Sequence, residues 1–256
     1  MKSTEDSILD SLDGSNKDIL PFLNYILQDL WEMGTDPNLV IEMISKHSQD
    51  YSKLNVLDLG CGKGAVSVLL ANHFRCKCHG IDAVQEFIDY ANRKAIEYNV
   101  EHLCKFEVGD IRERIKQLPK YDIIILGAIG PVLGDYLTTI EKLKKCLNDN
   151  GIIIIDDGYL PDDSDFNHGS VITKSALSGQ FHKSGMKILD EIIIDSEKMN
   201  ETNEVIFRNI KIRCNELIEL NPDKKQLFVD YLQSQEEEND AFSNKIICSV
   251  IVLKRN

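Results

Sequence analysis

The stretch VLDLGCGKGAVSVLL, from Val56 to Leu70, joins two different patterns. Its first residues form a short apolar run, which is typical of a buried strand, and its last residues have the apolar spacing of a helix. Between them lie three glycines at alternate positions, Gly60, Gly62 and Gly64. A strand, a glycine-rich turn and a helix place backbone N–H groups and the positive helix end at one sheet edge. The stretch therefore predicts a ligand site on main-chain atoms.

Short apolar runs alternate with helical periodicity from about residue 54 to residue 156. This alternation predicts βαβ units around a parallel sheet. The run YDIIILGA is too continuously apolar to have a solvent-exposed face, so we expect it to be a central strand. The seven expected strands are NVLDLG (55–60), KCHGID (77–82), CKFEVGD (104–110), YDIIILGA (121–128), GIIIIDD (151–157), MKILDEIIID (186–195) and KIICSVIVLK (245–254).

Helical patterns precede, interrupt and follow this series. They occur before residue 50 and again between the last two strands. An apolar stripe from Leu133 to Leu147 predicts a helix that stops at the turn residues 148–151. Residues 158–170 are rich in turn formers, and a loop of this length predicts a lid.

Composition disfavours several classes of partner. The formal net charge of −13 repels phosphate backbones and anionic lipid surfaces, so a nucleic-acid partner is disfavoured. Seven cysteines without a CxxC pair favour reduced thiols in a cytoplasmic protein and no metal site. The acidic, polar first residues do not resemble a signal peptide, and no apolar run approaches the length of a membrane span.

Three successive predicted strands end in an acid, namely Asp58, Asp82 and Asp110. Asp58 lies two residues before the first glycine, where its charge would repel a pyrophosphate but could pair with an ammonium group. Asp82 occupies the position where a carboxylate can accept hydrogen bonds from both ribose hydroxyls. The three acids favour a ligand that carries an amine, a ribose and an adenine.

VLDLGCGKG, followed by GID (80–82), VGD (108–110) and YDIIILGA, resembles the class I S-adenosylmethionine-dependent methyltransferases. The resemblance implies an α/β, Rossmann-like, doubly wound sheet of seven strands, with strand 7 antiparallel. It implies S-adenosylmethionine as cofactor and a methyl group transferred to a small-molecule acceptor by in-line displacement. The chain departs from the family in the helical residues before its last strand and in Val84, where the family often has a larger residue.

The resemblance also implies roles for individual residues. The glycine loop would contact the methionine and ribose parts of the cofactor, Asp82 the ribose hydroxyls, and Asp110 with Ile111 the adenine edge. Asp58 would lie behind the loop, and the backbone from Leu126 would lie under the methionine amine. The expected cofactor-binding residues are Asp58, Gly60, Cys61, Gly62, Gly64, Asp82, Ala83, Asp110, Ile111, Leu126 and Gly127.

The expected organisation has three parts: an amino-terminal helical arm or lid (1–50), a methyltransferase domain (51–195 and 245–256) and a helical insert (196–244). We expect the insert to cap the substrate, and Trp31 or a neighbour to close the cofactor site. If the acceptor must lose a proton, the candidate bases are Asp156, Asp157, Tyr159 and His168, from their positions alone.

Other interpretations stay open at this stage. Asp58 could be a structural turn acid, and Asp110 could simply cap the segment IRERI. The glycine spacing also fits a nicotinamide-dependent oxidoreductase, although Asp58 and the absence of a suitable Tyr-x-x-x-Lys pair disfavour it. A protein that binds S-adenosylmethionine without catalysis is the third alternative.

Overall fold

The computed structural model describes residues 2–167, 169 and 171–256. The chain forms two compact units. One is helical and contains the residues up to Trp31 together with Ile194–Ile247. The other is an α/β unit of Glu32–Ile193 and Cys248–Asn256. The first part of the expected arm thus shares a unit with the helical insert, whereas residues 32–50 belong to the α/β unit.

The α/β unit is built on one seven-stranded sheet, whose strands are numbered here along the chain. They are β1 (Asn55–Leu59), β2 (Lys77–Asp82), β3 (Cys104–Val108), β4 (Tyr121–Gly127), β5 (Leu147–Tyr159), β6 (Met186–Ile193) and β7 (Ile247–Arg255). Their order across the sheet is β3-β2-β1-β4-β5-β7-β6. The pairs from β3 to β5 are parallel, and β7 is antiparallel to β6. The predicted Rossmann-like sheet with an antiparallel last strand is confirmed.

Continuous apolar sequence explains the place of β4 at the centre of this sheet. Ile123, Ile124 and Ile125 are all fully buried, although neighbouring side chains of a strand point to opposite faces. Both faces of β4 are therefore covered, as its sequence predicted.

Ten α-helices lie within the described residues. They are α1 (Thr4–Ser11), α2 (Leu20–Ile26), α3 (Pro37–His47), α4 (Ala65–Phe74), α5 (Gln85–Glu97), α6 (Ile111–Arg114), α7 (Tyr136–Leu143), α8 (Lys174–Lys183), α9 (Ser196–Leu220) and α10 (Lys225–Asn244). Asp36 caps α3 by accepting a hydrogen bond from Asn38 N, and Pro37 occupies its first turn. Gly64, in a left-handed conformation, begins α4.

The prediction that a helix runs to Leu147 and stops at residues 148–151 is wrong. Helix α7 ends at Leu143, and Leu147 begins β5. Leu147 pairs with Tyr121, and the side-chain amide of Asn148 donates to Asp122 Oδ1 over 2.7 Å. The pairing register then shifts, so the polar residues bulge from the ladder instead of forming a helix-ending turn.

Helices α9 and α10 of the helical unit pack against each other and against the first helices of the chain. The rings of Phe22 and Phe228 meet edge to face, with centroids 5.0 Å apart. The Tyr231 hydroxyl donates to the carbonyl oxygen of Leu12. The Arg213 guanidinium pairs with Asp29.

All seven cysteines are free thiols, and Cys76 Sγ lies 3.7 Å from Cys78 Sγ. Within the described residues, no three His, Cys, Asp or Glu side chains are placed to hold a metal ion. Nor does the described part of the chain contain a helix with the length and apolar character that a membrane crossing requires.

We predict that alanine at Ile124 and at Ile125 destabilises the α/β unit to a similar extent. Each change should lower the free energy of unfolding by about 2–5 kcal/mol, because both faces of β4 are buried. Leu189→Ala on the edge strand β6 is the control. Because Leu189 is 39% exposed, this change should lower the free energy of unfolding by less than half as much. Urea denaturation followed by circular dichroism measures the three values. Tolerance of either isoleucine change at the level of the control would contradict the burial of both faces.

Candidate functional site

The carboxyl ends of β1, β2, β4 and β5 meet at one edge of the sheet. The strand register pairs Asp58 with both Gly80 and Ile125, and Gly127 with Asp156. Paired residues of parallel strands point to the same face, as do residues two apart on one strand. The side chains of Asp58, Asp82 and Asp156 therefore share one face and one edge, on the side of Gly127.

The three glycines of the loop have positive φ angles: +71° at Gly60, +51° at Gly62 and +76° at Gly64. L-residues rarely adopt this left-handed conformation, so the loop depends on glycine. A Cβ at Gly60 would lie 2.5 Å from Ile129 Cγ2, and one at Gly64 would lie 2.6 Å from Ala91 Cβ. The loop is thus closely packed on the sides that face the protein.

Asp82 ties the glycine loop to the end of β2. Its Oδ2 accepts the N–H of Gly62 and its Oδ1 accepts the N–H of Val84, each over 2.9 Å. Burial raises the pKa of Asp82, while backbone N–H groups, including that of Ala83, oppose the rise. No cation accompanies the carboxylate in these contacts, and each of its oxygens has a further lone pair for a ligand hydroxyl.

Asp58 lies behind the loop and is 3% exposed. Its Oδ2 accepts a hydrogen bond of 2.7 Å from the Ser67 hydroxyl in the first turn of α4. Burial raises the pKa of Asp58 to about 6, and the nearby charge of Asp82 adds to the rise. Burial also raises the pKa of the Cys61 thiol in the loop, so this thiol remains protonated at neutral pH.

Asp110 and Ile111 lie at the start of α6, beyond the end of β3. Asp110 caps this helix by accepting from Arg112 N. The Arg112 guanidinium also binds both carboxylate oxygens, from Nε over 2.9 and 3.0 Å. The Asp110 carboxylate is thus held in place, and Ile111 is buried beside it.

Residues 33–35 run along the glycine loop and the end of β4. Met33 lies over Gly62, with its Cε 3.2 Å from a Cβ built there. A Cβ at Gly34 would lie 2.8 Å from that of Ala128, and the Thr35 hydroxyl covers the side-chain position of Gly127. Leu126, the residue before Gly127, is buried and pairs with Leu59. The segment after Trp31 therefore lies against the site, a contact that the sequence suggested only in general terms.

Asp156 and Thr35 are both buried at the end of β5. Burial raises the pKa of Asp156 to about 7, and the nearby acids Asp157 and Asp36 also raise it. The Thr35 hydroxyl lies close enough to oppose part of this rise. Even so, no group of the described residues is placed with the geometry of a hydrogen bond to the Thr35 hydroxyl oxygen.

Asp157 and Tyr159 point to the opposite face of β5, because they alternate with Asp156. Asp157 accepts a hydrogen bond of 2.7 Å from the Tyr136 hydroxyl. The Tyr159 hydroxyl donates to Glu191 and accepts from Lys174. The structure therefore separates these two candidates from Asp156, and His168 lies outside the described residues.

Sequence reasoning missed two residues near the loop. Lys63, inside the glycine series, is 2% exposed, and its Nζ lies 5.0 Å from the centroid of the Tyr90 ring on α5. This distance is within the range of a cation–π contact. Thr35 was missed because its place beside Gly127 depends on a contact between segments far apart in sequence.

Comparison with known proteins identifies the family. Residues 50–227 match the model of a family described as a methyltransferase domain, which is more than half of the chain. The chain belongs to this family, and the resemblance to the class I S-adenosylmethionine-dependent methyltransferases is confirmed.

Curated relatives include the malonyl-[acyl-carrier protein] O-methyltransferase of Acetivibrio thermocellus, 29% identical over 69% of this chain and 56% of that protein. A ubiquinone biosynthesis O-methyltransferase of Rickettsia canadensis is 33% identical over 45% of this chain and 48% of its own length. The chain thus spans about half the length of these relatives.

A solved methyltransferase from Thiobacillus denitrificans, in complex with S-adenosylhomocysteine, matches with a TM-score of 0.77 at 19% identity. The match covers 92% of this chain and 98% of that one. A Geobacter sulfurreducens methyltransferase in the same kind of complex has a TM-score of 0.76 at 19% identity, covering 92% and 98%. At these identities the two structures support the fold alone.

Because its pKa is raised in the folded state, ionised Asp58 should lower the free energy of unfolding as pH rises. Asp58→Asn should remove this effect. Between about pH 4 and pH 6 the unfolded chain loses the Asp58 proton while the folded chain keeps it, so this group lowers stability as pH rises. Above the pKa of the folded state, the loss in free energy of unfolding becomes constant. It reaches about 3 kcal/mol, because the pKa of Asp58 rises to about 6 on folding.

The free energy of unfolding of Asp58→Asn minus that of the original chain should therefore increase between about pH 4 and pH 7. Urea denaturation at a series of pH values measures the difference. The value at about pH 4 is the control, because Asp58 is then mostly protonated in the folded state. A difference that does not change with pH would show that the folded protein does not hold Asp58 protonated.

Proposed function

We propose that this chain binds S-adenosylmethionine at the carboxyl edge of its sheet and transfers the methyl group to a small molecule by in-line displacement. The observation that carries the proposal is the pairing of the glycine loop with the half-buried Asp82 carboxylate. The carboxylate fixes the loop through Gly62 and Val84 while each of its oxygens can accept one more hydrogen bond. Two acceptors side by side suit the two hydroxyls of a ribose.

The charges of the site fit this cofactor. Asp58 and Asp156 are buried and Asp82 is half-buried on one face of the edge, and desolvation raises the pKa of each. A ligand with an ammonium group and a sulfonium lowers the electrostatic free energy of the ionised carboxylates. A pyrophosphate raises it, because its charge has the same sign as theirs. These charges disfavour the dinucleotide alternative.

Each part of the site has a separate task in this proposal. The bound cofactor supplies a methyl group on a positively charged sulfur. The glycine loop and Asp82 hold the adenosine part, and the backbone at Leu126 and Gly127 supports the methionine part. Residues 33–35 cover the loop and exclude water, which assists a displacement between aligned atoms. Asp110 and Ile111 remain the proposed contacts of the adenine.

A small-molecule acceptor is supported by charge and by the relatives. The net charge of −13 disfavours a polyanionic acceptor. Two of the curated relatives are named for malonyl-[acyl-carrier protein] and for ubiquinone biosynthesis, although others are named for ribosomal protein L11 and for RNA. The low identity of these relatives leaves the acceptor to be found by direct screening.

We predict micromolar binding of S-adenosylmethionine and S-adenosylhomocysteine, and no comparable binding of NAD. Asp82→Ala should weaken both adenosyl ligands at least about tenfold, because it removes charged hydrogen bonds to the ribose and loosens the loop. Isothermal titration calorimetry measures these affinities.

Asp149→Ala is the matched control, since the Asp149 side chain is 91% exposed, far from the carboxyl edge, and should leave both affinities unchanged. Binding of NAD alone would contradict the proposal and return the loop to the dinucleotide interpretation. Unchanged affinity in Asp82→Ala would contradict the assigned ribose contact.

A further inference from the structure

Thr35 carries a buried hydroxyl that has no hydrogen-bond partner among the described residues, at the edge where the cofactor is proposed to bind. The residue is 5% exposed, and its oxygen makes no hydrogen bond within the described residues. A buried hydroxyl without a partner costs free energy, so its presence favours a ligand that supplies the missing bond. The hydroxyl lies over the side-chain position of Gly127, the last residue of β4.

The Asp156 carboxylate lies on the same face as this hydroxyl. Gly127 and Asp156 are register partners, and paired residues of parallel strands point to the same side. Thr35 therefore covers the position beside Asp156, and the pKa of Asp156 reflects their proximity. The two oxygen-bearing groups converge at the end of β4 and β5.

We infer that Asp156 and Thr35 bind the amino group of the methyl acceptor beside the position of the transferred methyl group. This inference rests on the proposed function, because it places the acceptor next to the methionine part of the cofactor. An ammonium group donates three hydrogen bonds, so a carboxylate and an unpartnered hydroxyl oxygen suit it. The acceptor class that follows is an amine.

The charged surroundings favour an amine over a neutral hydroxyl. Three nearby groups influence Asp156: its neighbour Asp157, which points to the opposite face of β5, Asp36 at the start of α3 and the Cys248 thiol on β7. Burial raises the pKa of this thiol to about 12, so it stays neutral and no cation stands among the three. An excess of negative charge in a buried region attracts a cationic ligand.

Asp156 can also make the bound amine reactive. When the N–H bond of the ammonium breaks, its electron pair stays on nitrogen and the proton passes to a carboxylate oxygen of Asp156. The lone pair on nitrogen would then form the bond to the methyl carbon while the carbon–sulfur bond breaks, and the electron pair of that bond stays on the sulfur of S-adenosylhomocysteine, which leaves as a neutral thioether. The pKa of about 7 at Asp156 suits a group that accepts a proton at neutral pH and later returns it to water.

Sinefungin tests this inference without knowledge of the acceptor. In this S-adenosylmethionine analogue, a carbon that bears an amino group replaces the sulfonium that bears the methyl group. The inference predicts that the protein binds sinefungin about tenfold more tightly than S-adenosylhomocysteine, since the amino group meets Asp156 and Thr35. Calorimetry gives the ratio of the two affinities at one pH.

Asp156→Asn should abolish this preference, and its remaining binding of S-adenosylhomocysteine shows that the variant is folded. Thr35→Val should reduce the preference about threefold, because valine has the shape of threonine without the hydroxyl. Asp122→Asn is the control for loss of a carboxylate, since Asp122 lies at the start of β4 and accepts from Asn55 and Asn148. It should keep the full preference.

The outcomes separate this inference from the proposed function. Binding of S-adenosylhomocysteine with no preference for sinefungin, or a preference that survives Asp156→Asn, overturns the inference and leaves the cofactor site intact. Loss of the preference in Asp157→Asn instead of Asp156→Asn overturns the assignment to Asp156. Failure of the unmodified chain to bind any adenosyl ligand overturns both proposals.

Discussion

The structure depends on two carboxylates at the carboxyl edge of the sheet, those of Asp58 and Asp82, which hold the backbone around the edge. Asp82 holds the glycine loop through two backbone N–H groups, and Asp58 holds the start of α4 through Ser67. Burial raises the pKa of both acids, so their ionised forms carry an electrostatic cost. A positively charged ligand reduces this cost, and the fold is therefore suited to a cationic cofactor before any acceptor is considered.

The same constraint explains how the backbone is arranged around the loop. Positive φ angles at Gly60, Gly62 and Gly64 allow the tight turn in which their N–H groups bond to Ile81 O, Asp82 Oδ2 and Cys61 O. A larger residue at Gly60 or Gly64 would collide with Ile129 or Ala91. The loop is thus packed from outside by residues 33–35 and from within by α5. These contacts hold the loop in one conformation and limit the access of water, and both effects favour methyl transfer.

Much of the fold could be predicted from the sequence, because its signals are local. Apolar runs mark the seven strands, and Asp58 with the glycines marks the cofactor edge. The start of β5 could not be predicted, since Leu147 continues a helical spacing and only its pairing with Tyr121 makes it a strand. The position of Thr35 depends on packing between segments far apart in sequence. The separation of Asp156 from Tyr159 depends on which face of β5 is turned to the edge. Local patterns do not contain that information.

The central claim is that the edge binds an adenosyl ligand through Asp82 and the glycine loop, and a crystal structure of the S-adenosylhomocysteine complex tests it most directly. The account predicts both ribose hydroxyls within ~3.2 Å of the Asp82 carboxylate oxygens, with the homocysteine part at Gly127. It also predicts that the sulfur faces the side of Thr35 and Asp156. A ligand whose ribose does not contact Asp82, or whose homocysteine part lies away from β4, would contradict it.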